Sequence, residues 1–163
     1  MTNLLEIAPT MELVADEEGN FEAILAHSFG ALITSYTLVN RDLPAPSRLV
    51  YFGAFNRLMD ALPRFQVQAG LPVEIAEGLG DMIYETFGKE VLDGIVNETL
   101  TQQIHIPALL FHDTADNVTP IEDSLAIAKV WKSAQFIETT GLGHRGALKS
   151  EAIHGQVVEF LKS

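Results

Sequence analysis

Apolar side chains return at helical intervals over residues 2–18, where Leu4, Leu5, Ala8, Met11, Val14 and Ala15 fall three and four apart. The spacing predicts an amphipathic helix with Thr2 or Asn3 as its cap, and Gly19-Asn20 as its stop. Pro9 inside the pattern predicts a kink or an interruption near Ala8. Residues 21–26 (FEAILA) form a short run bounded by turn residues, which reads as a buried strand, and residues 29–39 read as a small, apolar helix. Pro44 and Pro46 break the chain before a second strand at residues 48–53 (RLVYFG). Residues 55–103 are helical in pattern but irregular, with glycines at 70, 78, 80, 88 and 94 and prolines at 63 and 72, as expected for two or three short helices. A third strand follows at residues 106–112 (IPALLFH). Thr119-Pro-Ile-Glu122 has capping-box spacing with proline at the first helical position, so a helix should run to about Trp131. Residues 134–138 are a fourth strand and residues 141–146 a loop. Ser150 is placed to cap a last helix carrying Ile153, Val157, Phe160 and Leu161 on one face.

Strands alternating with helices predict an α/β fold: an open parallel sheet of about four strands, helices on both faces, and a small helical insertion. No repeat or low-complexity tract divides the chain, so the expected organisation is one domain over residues 1–163 with the insertion at about 55–103. In such sheets ligands bind outside the carboxyl ends of the strands, and chemistry is sought there.

Composition narrows the classes. At 163 residues and 47% hydrophobic content, a sizeable core is available. There is no cysteine, which excludes disulfides, thiolate nucleophiles and cysteine-held metal. Ten Lys+Arg against 22 Asp+Glu give a formal charge of −12, a surface that repels phosphate backbones and anionic lipid. Neither nucleic acid nor membrane is therefore an expected partner. The first basic residue is Arg41 and no apolar run reaches the length of a membrane span, so the expected location is cytoplasmic.

Three strand ends carry reactive residue types. After the first strand comes Ala26-His27-Ser28-Phe29-Gly30, close to G-x-S-x-G with Ala26 for the first glycine. A serine on such a turn projects its hydroxyl clear of the backbone and aims the next N–H, that of Phe29, at a developing oxyanion. The turn needs small neighbours, because side chains two before and two after the serine crowd one another. After the third strand comes His112-Asp-Thr-Ala-Asp116, where an acid is placed to hold an imidazole in one tautomer. After the fourth comes Gly141-Leu-Gly-His144. Each signal has a bland alternative: a serine opening a helix, an aspartate ordering a loop, a solvated histidine. Their chain order, Ser then Asp then His, is the order of one hydrolase class and of neither serine-protease class.

From residue 21 onward the chain resembles the C-terminal two-thirds of an α/β-hydrolase, through AHSFGA, FHDTADNVTP and GLGH with the terminal helix. The resemblance implies Ser28 as nucleophile, Asp116 as acid and His144 as base, with the insertion as a cap over the site. It implies acyl transfer to water from a small-molecule ester-like substrate without metal or organic cofactor, and the apolar character of the 55–103 stretch points to an uncharged or apolar acyl group. One helix precedes the elbow strand here, where the family places about four strands. That portion normally supplies the loop completing the oxyanion hole, and nothing in residues 1–20 is a glycine-rich replacement. The elbow strand becomes a sheet edge, expected to self-associate as a homo-oligomer or to be covered by residues 1–18.

The remaining residues have weaker claims. His27 is expected to pack behind the elbow. His112, Asp113 and His144 lack a recognisable metal-ligand spacing. Asp113 is the fallback acid and Asp60 a third choice. His105 and His154 read as surface, and Phe55, Phe65, Tyr84 and Phe87 as cap packing. Two rivals remain: a non-catalytic domain that binds a ligand or partner chain, and an acyltransferase using the same three residues.

Overall fold

Residues 48–52 and 108–113 are almost uninterruptedly apolar, the mark of strands buried on both faces. In the computed structural model, which describes residues 4–163, they are the two central strands of a parallel four-stranded sheet. The strands are β1 (Ala23–His27), β2 (Arg48–Phe52), β3 (Ala108–Asp113) and β4 (Ala134–Thr139), paired in chain order. The register sets Ala26 beside Tyr51, Phe52 beside Phe111 and Asp113 beside Thr139. Helices cover both faces, as the alternating pattern predicts. One face buries Ala26, Leu49, Tyr51 and Leu110 with Ala31 of α2 (Phe29–Asn40) and Ile127 of α7 (Ile121–Val130). The other buries Val50, Phe52, Leu109 and Phe111 with Ile153 and Val157 of α9 (Glu151–Lys162). β2 and β3 therefore each serve two cores, and side-chain alternation assigns their residues between them.

α1 (Leu4–Glu18) packs on α2, with Leu4, Ala8 and Ala15 buried. It runs through Pro9 without the interruption expected near Ala8. One missing N–H removes one backbone bond, and burial of residues on both sides of it keeps the helix continuous. Arg41 and the Asp42 N–H both donate to the Glu12 carboxylate, tying α1 to the end of α2. The caps expected at Thr2 or Asn3 lie outside the described residues. Among the described residues β1 pairs on one edge only, and Leu25 is 52% exposed.

Two expected side-chain caps do not form. α7 begins after Pro120, and the Thr119 hydroxyl is buried without a hydrogen-bond partner rather than capping the helix. Ser150 precedes α9 but makes no side-chain cap; its carbonyl instead accepts the His154 N–H at 2.9 Å.

The chain divides into two compact units: the sheet unit, comprising residues up to Asn56 together with Asn97–Ser163, and Arg57–Val96. The sheet unit also contains α6 (Asn97–Thr101), so the second unit is narrower than the 55–103 insertion read from the sequence. Within Arg57–Val96, α3 (Ala61–Ala69), α4 (Val73–Phe87) and α5 (Lys89–Asp93) pack in succession, and Arg57 pairs with Val96 in an antiparallel bridge. Gly70 ends α3 in the left-handed conformation at φ 63°. This unit exposes Phe65, Val67, Val73, Ile75, Met82 and Val91.

Candidate active site

β1 ends at His27 and α2 begins at Phe29, leaving one residue to reverse the chain from strand to helix. That residue, Ser28, has φ 57° and ψ −123°, and is the one non-glycine with positive φ among the described residues. A residue with a Cβ is strained there. The Ser28 N–H donates to the Phe52 carbonyl at 2.8 Å, which anchors the turn to β2. Phe29 opens the helix, so its N–H has no partner within α2. Its ring packs edge-on against Phe55, with centroids 6.3 Å apart; Phe55 thus belongs to the sheet unit. The sequence argument for small flanking residues holds less well at Gly30, because a Cβ there would meet nothing within 4 Å.

The loop after β3 makes an aspartate that is fixed at both oxygens. Asp116 Oδ1 accepts the Val118 and Thr119 N–H groups at 2.8 and 2.9 Å. Oδ2 lies 2.7 Å from His144 Nδ1 and 3.4 Å from His112 Nε2. Burial works to raise the carboxyl pKa, but the contacts to His112, His144, Thr119 and Val118 outweigh it and hold the group far below the usual carboxylate range. The carboxylate is therefore charged at neutral pH, and the His144 Nδ1–H donates to it. The lone pair of His144 is left on Nε2.

Asp113 does different work. Its carboxylate accepts the Ala115 and Gly143 N–H groups at 2.9 Å each, the Leu142 N–H at 3.0 Å and the Thr139 hydroxyl at 2.8 Å. Burial pushes its pKa up, and these four donors bring it below the usual range. The geometry commits this side chain to stapling the loop after β4 onto β3. That loop is partly helical, as α8 (Gly143–Gly146), rather than the plain loop expected at 141–146.

His112 is 1% exposed and both ring nitrogens are engaged. Nε2 donates to the Thr119 carbonyl at 2.9 Å, which puts the proton there, and Nδ1 accepts from the Ser124 hydroxyl at 2.7 Å. Asp60 lies in the Arg57–Val96 unit, 3.6 Å from Arg64. His105 and His154 are exposed.

The sequence reading passed over Gly53. It follows β2 directly, at φ 52°, and a Cβ on it would stand 3.2 Å from Asp116 Oδ2 and 3.4 Å from His144 Nδ1. The backbone leaving β2 thus passes against the aspartate–histidine pair, where a side chain would have to push one of them aside. A glycine closing an otherwise apolar strand was the available signal.

Ser28, Phe29, Gly53, Asp116 and His144 all follow strand ends at one edge of the sheet, and the elements bring His144 onto Asp116. The Ser28 hydroxyl makes no hydrogen bond with His144 or with any other described residue. The comparisons with known proteins agree with this architecture. Residues 93–163 match the family described as TAP-like protein. No curated protein sequence matches the chain. Among solved structures, the meta-cleavage product hydrolase CumD superposes with a TM-score of 0.70 at 17% identity, over 99% of this chain and 73% of its own. The fold is that of the α/β-hydrolases. The esterase RhEst1 from Rhodococcus sp. ECU1013 superposes at 0.67 and 19% identity, over 99% of this chain and 73% of its own. The monoacylglycerol lipase of Paleococcus ferrophilus gives 0.67 and 19%, over 98% and 75%. The α/β-hydrolase fold seen here thus corresponds to about three quarters of each of these chains. Among the described residues no helix is long and apolar enough to cross a membrane.

Proposed function

We propose that this chain is a serine hydrolase that cleaves an ester-like acyl bond of a small-molecule substrate. The observation that carries the reading is the 2.7 Å contact between a charged, doubly anchored Asp116 and Nδ1 of His144, beside a strained serine turn. Ser28 Oγ attacks the acyl carbonyl carbon and gives its proton to His144 Nε2. The Asp116 carboxylate holds the imidazole in the acceptor tautomer and stabilises the imidazolium. The Phe29 N–H, at the positive end of α2, donates to the oxyanion of the tetrahedral intermediate. His144 then returns the proton to the leaving oxygen, leaving Ser28 acylated. In the second half, His144 takes a proton from water, the hydroxide attacks the acyl carbon, and the acid departs with Ser28 reprotonated. Asp113 is the weaker candidate for the acid, because its carboxylate is committed to three N–H groups and a hydroxyl.

Intact mass after exposure to a fluorophosphonate tests the reading, with Ser28→Ala as control. One adduct that disappears in Ser28→Ala is expected. A folded protein that takes no adduct would overturn the hydrolase reading and favour a domain that binds a ligand or partner chain without turnover.

A further inference from the structure

His27 is a half-buried titratable group that the proposed chemistry does not use. It closes β1, one residue before Ser28. Its ring centroid lies 4.5 Å from that of His144, the planes tilted by 48°. Its Nε2 is 2.8 Å from the main-chain carbonyl oxygen of His144. A carbonyl oxygen only accepts, so the proton of His27 sits on Nε2 and the hydrogen bond runs from ring to backbone. This one contact joins residues 117 apart in sequence: the strand that delivers the serine, and the loop that delivers the base.

The other restraints on that loop come from the end of β3 and the loop after it. Asp113 holds the Leu142 and Gly143 N–H groups, and Asp116 holds the Nδ1 end of the His144 ring. Neither fixes the His144 peptide relative to β1. The hydrogen bond from His27 is the contact that ties the His144 carbonyl directly to β1.

We infer that His27 is a positioning residue for the base: its Nε2–H, donated to the His144 carbonyl, locks the base-bearing loop to the elbow strand and aims His144 Nε2 at Ser28. This inference rests on the serine-hydrolase reading above. The environment supports a neutral ring in this role. Burial lowers the imidazole pKa, the bond to the His144 carbonyl opposes that, and among the nearby charges His144 and Arg145 lower it while Asp116 raises it, for a net shift below the ordinary value.

The test compares two variants. His27 lines a groove of about 360 Å³ together with Leu25, Phe52, Val157, Val158 and Leu161, so a leucine at 27 has apolar neighbours to pack on while it removes the donor and the ring contact with His144. Glutamine retains an N–H near the position of Nε2. The readout is the fluorophosphonate reaction of Ser28, resolved into reagent affinity and the first-order phosphonylation rate. His27→Leu is expected to lower the rate about 10- to 100-fold with affinity unchanged, the loss typical of a misaligned base. His27→Gln is expected to recover most of it. A His27→Leu rate equal to wild type, or a His27→Gln rate as low as that of His27→Leu, overturns the inference. If wild-type protein takes no adduct, the serine-hydrolase reading has failed. The positioning contact is then judged by the proton resonance of the His144 Nδ1–H bonded to Asp116. That resonance is expected in wild type and His27→Gln, and exchange-broadened in His27→Leu. An unchanged resonance in His27→Leu would refute the contact's role on its own.

Discussion

Gly53→Ala is the most demanding single substitution the site suggests, because it adds one carbon and no chemistry. Two penalties can be separated. Gly53 has φ 52°, and placing a Cβ in left-handed backbone costs about 1 kcal/mol. The second penalty is contact. The added methyl would lie 3.2 Å from Asp116 Oδ2, 3.4 Å from His144 Nδ1 and 3.5 Å from His144 Cε1. Asp116 is held by the Val118 and Thr119 N–H groups, and the Gly53 N–H is itself tied to the Phe111 carbonyl at 2.8 Å. The imidazole is the part free to give way, by a few tenths of an ångström, and it moves away from its hydrogen bond. The expected outcome is about 2 kcal/mol lost from urea unfolding and a phosphonylation rate of Ser28 lower by about tenfold or more. Gly19→Ala is the control: φ there is 94°, but a Cβ meets nothing within 4 Å, so only the conformational penalty applies. If Gly53→Ala loses stability no more than Gly19→Ala and reacts at the wild-type rate, the pair does not depend on that glycine and the geometry has been misread.

Asp116→Asn should leave the loop nearly in place but present His144 with a donor where an acceptor stood. A loss of about 10⁴ in phosphonylation rate is expected, and a rate near wild type would remove Asp116 from the mechanism. Asp113 and Asp116 both have depressed carboxyl pKa values. The stability they add is therefore present above the unfolded carboxyl pKa of about 4 and is lost as pH falls toward their folded values. Urea midpoints measured downward from neutral pH should fall with acidification, and less steeply in Asp116→Asn; equal slopes would contradict the assignment. Gly30→Ala, in the first turn of α2 with open space around its Cβ, should raise stability by about 1 kcal/mol in the same assay, and a loss would show that the elbow does crowd residue 30.

How much of this was legible in the sequence depends on where each residue's conformation is decided. β2 and β3 were readable because strands buried on both faces must be apolar at every position. Ser28 was readable because a strand end, a serine and a helix start coincide within three residues. The helix ends were less so. Thr119 and Ser150 carry the right residue types at the right spacing, yet neither hydroxyl caps its helix. A capping bond competes with burial of the loop that carries it, and after β3 the loop is shaped by Asp116 accepting the Val118 and Thr119 N–H groups. That acceptance draws the Thr119 backbone inward and buries its hydroxyl, an outcome set by tertiary contacts and invisible to local spacing.

The same logic explains why the two aspartates of HDTAD could be ranked only with coordinates. Asp113 closes β3 and Asp116 follows it three residues on; both carboxylates are buried, and both gather several donors. What separates them is pairing: Asp113 faces Thr139 across the β3–β4 register and so reaches the loop that follows β4 from beneath. Asp116, after the turn in which its N–H bonds the Asp113 carbonyl at 3.1 Å, reaches the ring of the histidine that this loop carries. One carboxylate sets where the base loop lies, and the other sets how the base ring is turned. Gly53 and His27, from β2 and β1, close the arrangement on its remaining sides. The ends of β1, β2 and β3 thus border His144, which follows β4, and the parallel order of the sheet is what places those ends side by side.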